Sequence, residues 1–182
     1  MPTIINGSSD AITFPDSSIQ NTSAIVSGKV PRTLLPTGSV LQVVQQLVNP
    51  NFSTSSSTFV HSTPHELSIT TSVANSKILV SCNTPMQVST AGEGIGQATF
   101  RSSIDSYSAN RGVISVVNSP ESNGGWIMPT TLIHLDSPAQ SANTTITYRV
   151  YIRKVQGSNA IYYADTWGQT ASYSFILQEI SA

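Results

Sequence analysis

Residues 144–154 hold the cleanest alternation in the chain. Ile146, Tyr148, Val150 and Ile152 fall on one side of an extended chain, and Thr145, Thr147, Arg149, Tyr151 and Arg153 fall on the other. A period of two separates the faces of a β-strand and of nothing else regular. The same habit, less cleanly, marks residues 39–48 (Leu41, Val43 and Leu47 on one face), 57–62, 67–71, 97–102, 112–117, 125–135, 160–164 and 172–180. The run Lys77-Ile78-Leu79-Val80-Ser81-Cys82 is continuously apolar at its centre, as in a strand covered on both faces. Gly, Pro, Asn and Ser stand between these segments, as at Asn123-Gly124-Gly125 and Gln156-Gly157-Ser158-Asn159. No segment keeps a helical period. These signals predict an all-β chain, an antiparallel β-sandwich of jelly-roll-like kind.

The polar side of the strands is built from hydroxyls rather than charge. Charged residues make up 9% of the chain, while serine and threonine together exceed a quarter of it. Disordered chains avoid collapse mostly through charge, and this one has little to use. Net charge is −1 and the basic residues are scattered, only Arg153 and Lys154 being adjacent, so nothing points to a nucleic-acid partner. No apolar run approaches membrane-spanning length, no basic start followed by an apolar block marks a secretory signal, and membrane insertion is not expected. The single cysteine, Cys82, lies inside an apolar run and reads as a small buried hydrophobe in a protein assembled in a reducing cytoplasm.

Residues 1–36 differ from the rest. Asn6-Gly7 is a turn signal, Ile12 and Phe14 flank Thr13 as one short strand, and residues 17–24 are polar enough for one helical turn or none. So few apolar residues cannot build a core. The expected organisation is an extended N-terminal arm, 1–36, that buries Ile4, Ile12, Phe14 and Ile19 against a partner or sister subunit, followed by a β-sandwich head, 37–182.

Candidate chemistry is sparse. No two of the acidic residues lie close in sequence, and no Gly-x-Ser-x-Gly motif accompanies the histidines, so no catalytic residue is assigned and no enzyme is expected. His61 and His65 flank Pro64, which argues against a helix presenting both to zinc. They read as two loop histidines at a turn, with an axial metal shared by three copies as the sharper alternative; no metal or cofactor is assigned. Gly92-Glu93-Gly94-Ile95-Gly96 lacks a following helix or lysine and reads as a mobile surface turn, not a phosphate loop. Tyr162, Tyr163, Asp165 and Trp167 cluster at a strand end, with Trp126 a further candidate. Rings that stack on sugar faces beside groups that bond hydroxyls make this a glycan or receptor platform, unless the rings serve as core or subunit contacts.

The order of several segments is familiar. Residues Ala11-Ile12-Thr13-Phe14-Pro15-Asp16-Ser17-Ser18-Ile19-Gln20 lead into Leu35-Pro36-Thr37-Gly38-Ser39-Val40-Leu41-Gln42-Val43-Val44. Then follow Leu67-Ser68-Ile69-Thr70, Asn75-Ser76-Lys77-Ile78-Leu79-Val80, Leu135-Asp136-Ser137-Pro138, Thr147-Tyr148-Arg149-Val150-Tyr151 and a closing Leu177-Gln178-Glu179-Ile180. This series resembles the C-terminal domain family of marine phage and cyanophage tail-fibre or spike proteins. The resemblance implies a virion appendage protein, commonly a homotrimer, that contacts other virion proteins or a host-surface glycan and has no catalytic residues. A capsid decoration or head-fibre protein and a carbohydrate-binding module stay open as alternatives. The chain lacks a long shaft, which leaves its place on a particle undecided.

Overall fold

A computed structural model describes residues 4–6, 11–13, 19–21, 32, 35–48, 52–88, 94–118, 127–157, 160–163 and 173–182. Thirteen strands account for most of them, and no α-helix occurs among the described residues. β1 (Ile4–Asn6), β2 (Ala11–Thr13) and β3 (Ile19–Asn21) form an antiparallel meander of their own. The arm therefore carries three strands where the sequence pattern marked one, and residues 19–21 are extended rather than helical. Backbone pairing of Ile5 with Ile12 and of Thr13 with Ile19 holds it together. Phe14 lies outside the described residues.

The head is two packed sheets. Its strands are β4 (Val40–Val48), β5 (Phe52–Thr54), β6 (Val60–Thr70), β7 (Lys77–Val88), β8 (Gly94–Ser102), β9 (Arg111–Asn118), β10 (Ile127–Asp136), β11 (Thr145–Gln156), β12 (Ile161–Tyr163) and β13 (Tyr173–Ile180). β7 is the pivot. One edge pairs along its length with β10, and the other pairs first with β13 and then with β12, which carries β5. The first sheet thus runs β4-β13-β7-β10, and the second runs β6-β11-β8-β9. With the short β5 and β12 set aside, the first sheet holds the first, eighth, third and sixth strands, and the second holds the second, seventh, fourth and fifth. That interleaving is the jelly-roll order, two Greek keys rolled together.

The alternation of residues 144–154 works as read. Ile146, Tyr148, Val150 and Ile152 are all fully buried and meet Ile78, Val80, Cys82, Met86, Phe175 and Leu177 of the facing sheet. Phe100 and Phe175 stack across the layers, ring centroids 5.7 Å apart, a contact worth about 1 kcal/mol beyond its area. Pro85 and Pro129 sit opposite each other inside the β7–β10 ladder, so neither ends its strand.

Two expectations fail for packing reasons. The segment 92–96 is not wholly a surface turn: β8 begins at Gly94, and Gly94 and Gly96 are buried. A Cβ built on Gly96 would lie 2.7 Å from the Met86 Cε and 2.8 Å from the Ile161 Cγ2, so glycine here lets two core side chains close over the backbone. Gly96→Ala should cost ~1–3 kcal/mol in urea unfolding, as overpacking does; an unchanged midpoint would show that the contact is not tight. The histidines likewise are not in a loop. Both lie on β6, which runs as one strand where the pattern marked two.

Candidate functional site

The turn signal at Pro64 reports a bulge inside β6. His61 pairs with Tyr151 and Glu66 with Arg149, so residues 62–65 stand opposite Val150 alone. Among the described residues β6 pairs only with β11, and proline is tolerated on such an edge. The bulge turns both Ser62 and His65 inward. They are fully buried, and Ser62 Oγ lies 2.6 Å from His65 Nδ1. Burial, with the nearby His61 adding to it, pushes the His65 imidazole down to about 4. A Ser-His contact invites a catalytic reading, but a nucleophile must meet substrate and this one is sealed in the core. Full burial also keeps His65 from any axis shared between copies. Among the described residues no group of three metal-ligating side chains comes together.

Acidic residues that are distant in sequence do meet. Arg111, at the start of β9, donates through Nε to Asp136 Oδ2 at 2.9 Å and through an Nη to Asp105 Oδ2 at 3.0 Å. The buried Tyr148 hydroxyl donates to the same Asp136 oxygen at 2.8 Å. Burial and the Asp136 charge raise the Tyr148 pKa. Burial opposes ionisation of Asp105, but bonds and charge from Arg111 outweigh it and hold the carboxyl below its usual range. Both carboxylates are tied to one guanidinium, so this cluster clamps the ends of β9, β10 and β11 and offers no free acid.

The outward faces of the two sheets differ in kind. On the β6-β11-β8-β9 sheet, hydroxyls form cross-strand rungs: Ser68 with Thr147 at 2.8 Å and Thr70 with Thr145 at 2.9 Å. Farther along, the rungs give way to arginines and rings. Arg149 pairs with Glu66 and lies over the Tyr107 ring at 4.0 Å. Arg101 lies over Tyr151 at 4.6 Å and Phe59 at 5.3 Å, and Arg153 lies over Phe59 at 4.6 Å. His61 leans on Tyr151, centroids 5.4 Å apart, and its pKa is lowered by burial and then by Arg149, against Glu66.

On the β4-β13-β7-β10 sheet, the outward face mixes exposed apolar side chains with mostly uncharged polar ones. Cross-strand register lines up Val43, Gln178, Leu79 and Leu135 in one row, and Gln45, Ile176, Ser81 and Ile133 in the next. Leu47 is 64% exposed, Ile133 58%, Val43 56% and Leu135 48%. Lys77 is the sole charged residue on this face among the described residues. Leu41, Val43 and Leu47 thus share a face, and it is the outer one; the β4 contribution to the core comes from Val44.

Of the aromatic platform read from the sequence, Tyr162 and Tyr163 sit on β12, their backbones paired with Gln87 and Met86 of β7. Asp165, Trp167 and Trp126 lie outside the described residues. The arginine-ring face was missed because its members come from four separate segments. Only Arg149, Tyr151 and Arg153, alternating on one strand, signalled it.

No family model and no curated protein sequence matches the chain. Among solved structures it aligns with the infectious bursal disease virus VP2 subviral particle, at 11% identity and a TM-score of 0.34, over 78% of this chain and 38% of that one. It also aligns with the structure of the Gt strain of infectious bursal disease virus, at 14% identity and a TM-score of 0.36, over 94% of this chain and 47% of that one. The chain spans less than half the length of these solved chains. The jelly-roll assignment rests on strand pairing alone. No helix among the described residues is long and apolar enough to cross a membrane.

Proposed function

We propose that the chain is a structural subunit of a virus particle, a phage tail-fibre or spike protein that works as a homotrimer. The observation that carries this reading is the outer face of the β4-β13-β7-β10 sheet. Val43, Leu47, Ile133 and Leu135 are each about half exposed or more, and the half-buried Leu79, Ile176 and Ile180 lie between them. Isolated apolar residues on a surface are ordinary, but a near-chargeless face spanning four strands marks a contact. A second copy is the favoured occupant, because Lys77 is the sole charge on the face among the described residues, too little for a charged partner to read, and the order of segments resembles that of trimeric appendage proteins. Closed symmetry would let each copy cover the same face of its neighbour.

Light scattering after size exclusion should give a closed oligomer, with a trimer expected. A double variant, Ile133→Lys with Leu47→Lys, should release monomers with an unchanged far-ultraviolet spectrum. A monomeric parent protein would end this reading. Labelling intact particles then separates tail from shell. Signal on the shell would favour a capsid decoration protein, a reading the jelly-roll order also supports, since that fold builds many capsid domains.

A further inference from the structure

The arginine-ring face carries an uncancelled charge. Arg101 donates to Asn110 Oδ1 at 2.9 Å and to the Tyr107 carbonyl at 3.1 Å. Arg153 donates from Nε and an Nη to one oxygen of Gln97, at 2.9 and 2.7 Å. All these acceptors are neutral. Among the described residues neither guanidinium has a carboxylate in ion-pair range; Glu66 serves Arg149. Three arginines against one glutamate leave this face positive in a chain whose net charge is −1.

The guanidiniums are also held in place. Stacking uses the flat face of a guanidinium and leaves its N–H edges in the plane. Phe59 braces Arg101 and Arg153 together, and Tyr151 and Tyr107 brace Arg101 and Arg149. The described bonds of Arg101 and of Arg153 each use two of five donors. Tyr107 takes its place at a cost. Ser106 and Tyr107 both adopt left-handed backbone, φ 55° and 61°, an arrangement disfavoured by about 1–2 kcal/mol per residue away from glycine.

We infer that this face binds a carboxylate-bearing saccharide, a uronic or sialic acid unit. The carboxylate would dock on the Arg101 and Arg153 forks, which match its planar geometry. Asn110, bonded to Arg101, and Gln97, bonded to Arg153, are the polar groups beside the two guanidiniums that can meet sugar hydroxyls. The site shares no residue with the Tyr162–Trp167 segment and does not depend on the assembly proposed above, so its failure leaves that reading untouched.

The test uses the full chain in its natural oligomeric state, titrated by calorimetry with short oligogalacturonates and with sialyllactose. At least one should bind, and binding should weaken with salt. The same saccharide with its carboxyls reduced to alcohols should not bind. Arg101→Gln with Arg153→Gln should weaken binding by about tenfold or more. If that variant does not fold, Arg153→Lys keeps the charge, loses the fork and should still weaken binding. The inference is overturned if neither acid binds, if the reduced sugar binds equally, if a sulfated oligosaccharide alone binds, or if the folded variants bind as the parent does.

Discussion

Replacing Glu179 by alanine should lower the unfolding free energy by ~3–5 kcal/mol and the melting temperature by about 10 °C. Glu179 is a fully buried carboxylate on the last strand. Its oxygens accept from the Ser72 backbone N–H at 2.7 Å, the Ser72 hydroxyl at 2.7 Å, the Val73 N–H at 3.2 Å and the Gln42 amide at 2.6 Å. One side chain thus ties the turn between β6 and β7 to β4 and β13. Alanine removes the acceptor and leaves these half-buried donors without it, and a donor left unpaired away from water costs more than the bond it made. Glu179→Gln keeps one acceptor oxygen and should fall between the two. Burial opposes ionisation of Glu179, but the bonds from Ser72 and Gln42 prevail and hold its pKa below 4.5. The carboxylate's contribution is therefore complete above about pH 4.5 and is lost as pH falls through the lower folded value. Urea melts of the two variants at neutral pH test the claim; an alanine variant within ~1 kcal/mol of the parent would refute it.

A second loss should begin at higher pH. His65 titrates near 6.5 when unfolded and at about 4 in the native protein. Between those values the unfolded chain binds the extra proton, so stability rises with pH and drains away as pH falls from 6.5 toward 4. The gap corresponds to ~3 kcal/mol. His61, also lowered, adds slope in the same direction. The Glu179 contribution is lost only below about pH 4.5, so between pH 6.5 and 4.5 the histidine slope stands apart from it. A Ser62→Ala, His65→Leu double variant removes both partners of the buried bond and should flatten the stability profile between pH 6.5 and 4.5. An unaltered slope would mean that another group titrates there.

How much of this was legible in the sequence differs from segment to segment. β11 was legible over residues 145–153, because its even and odd positions there separate buried apolar side chains from the outer face. β6 was read as two strands because the bulge at residues 62–65 breaks the period, and Pro64 imitates a turn. β8 was cut short because a glycine-rich stretch looks like a loop until Met86 and Ile161 are seen to lie against Gly96. The β5 strand carries no pattern, since three residues are too few to show one.

The site was less legible than the fold. Asp136 lies 25 residues beyond Arg111 and meets it and Asp105 only because β9 and β10 form a corner of the roll. The Arg101, Arg149 and Arg153 group needs β8 and β11 in register, and the Tyr107 ring needs two left-handed residues that no local signal announced.

Alternation, hydroxyl richness and scarce charge are local properties, and they by themselves determined that this chain makes antiparallel sheets with an apolar interior. Which strands became neighbours was decided by the tertiary structure. A period of two says which side of a strand is greasy, but pairing partners are chosen by how the greasy sides of distant segments fill one core. For the same reason only the folded protein shows that Val43, Leu79, Ile133 and Leu135 stand together outside that core, and that the arginines gather on the opposite surface.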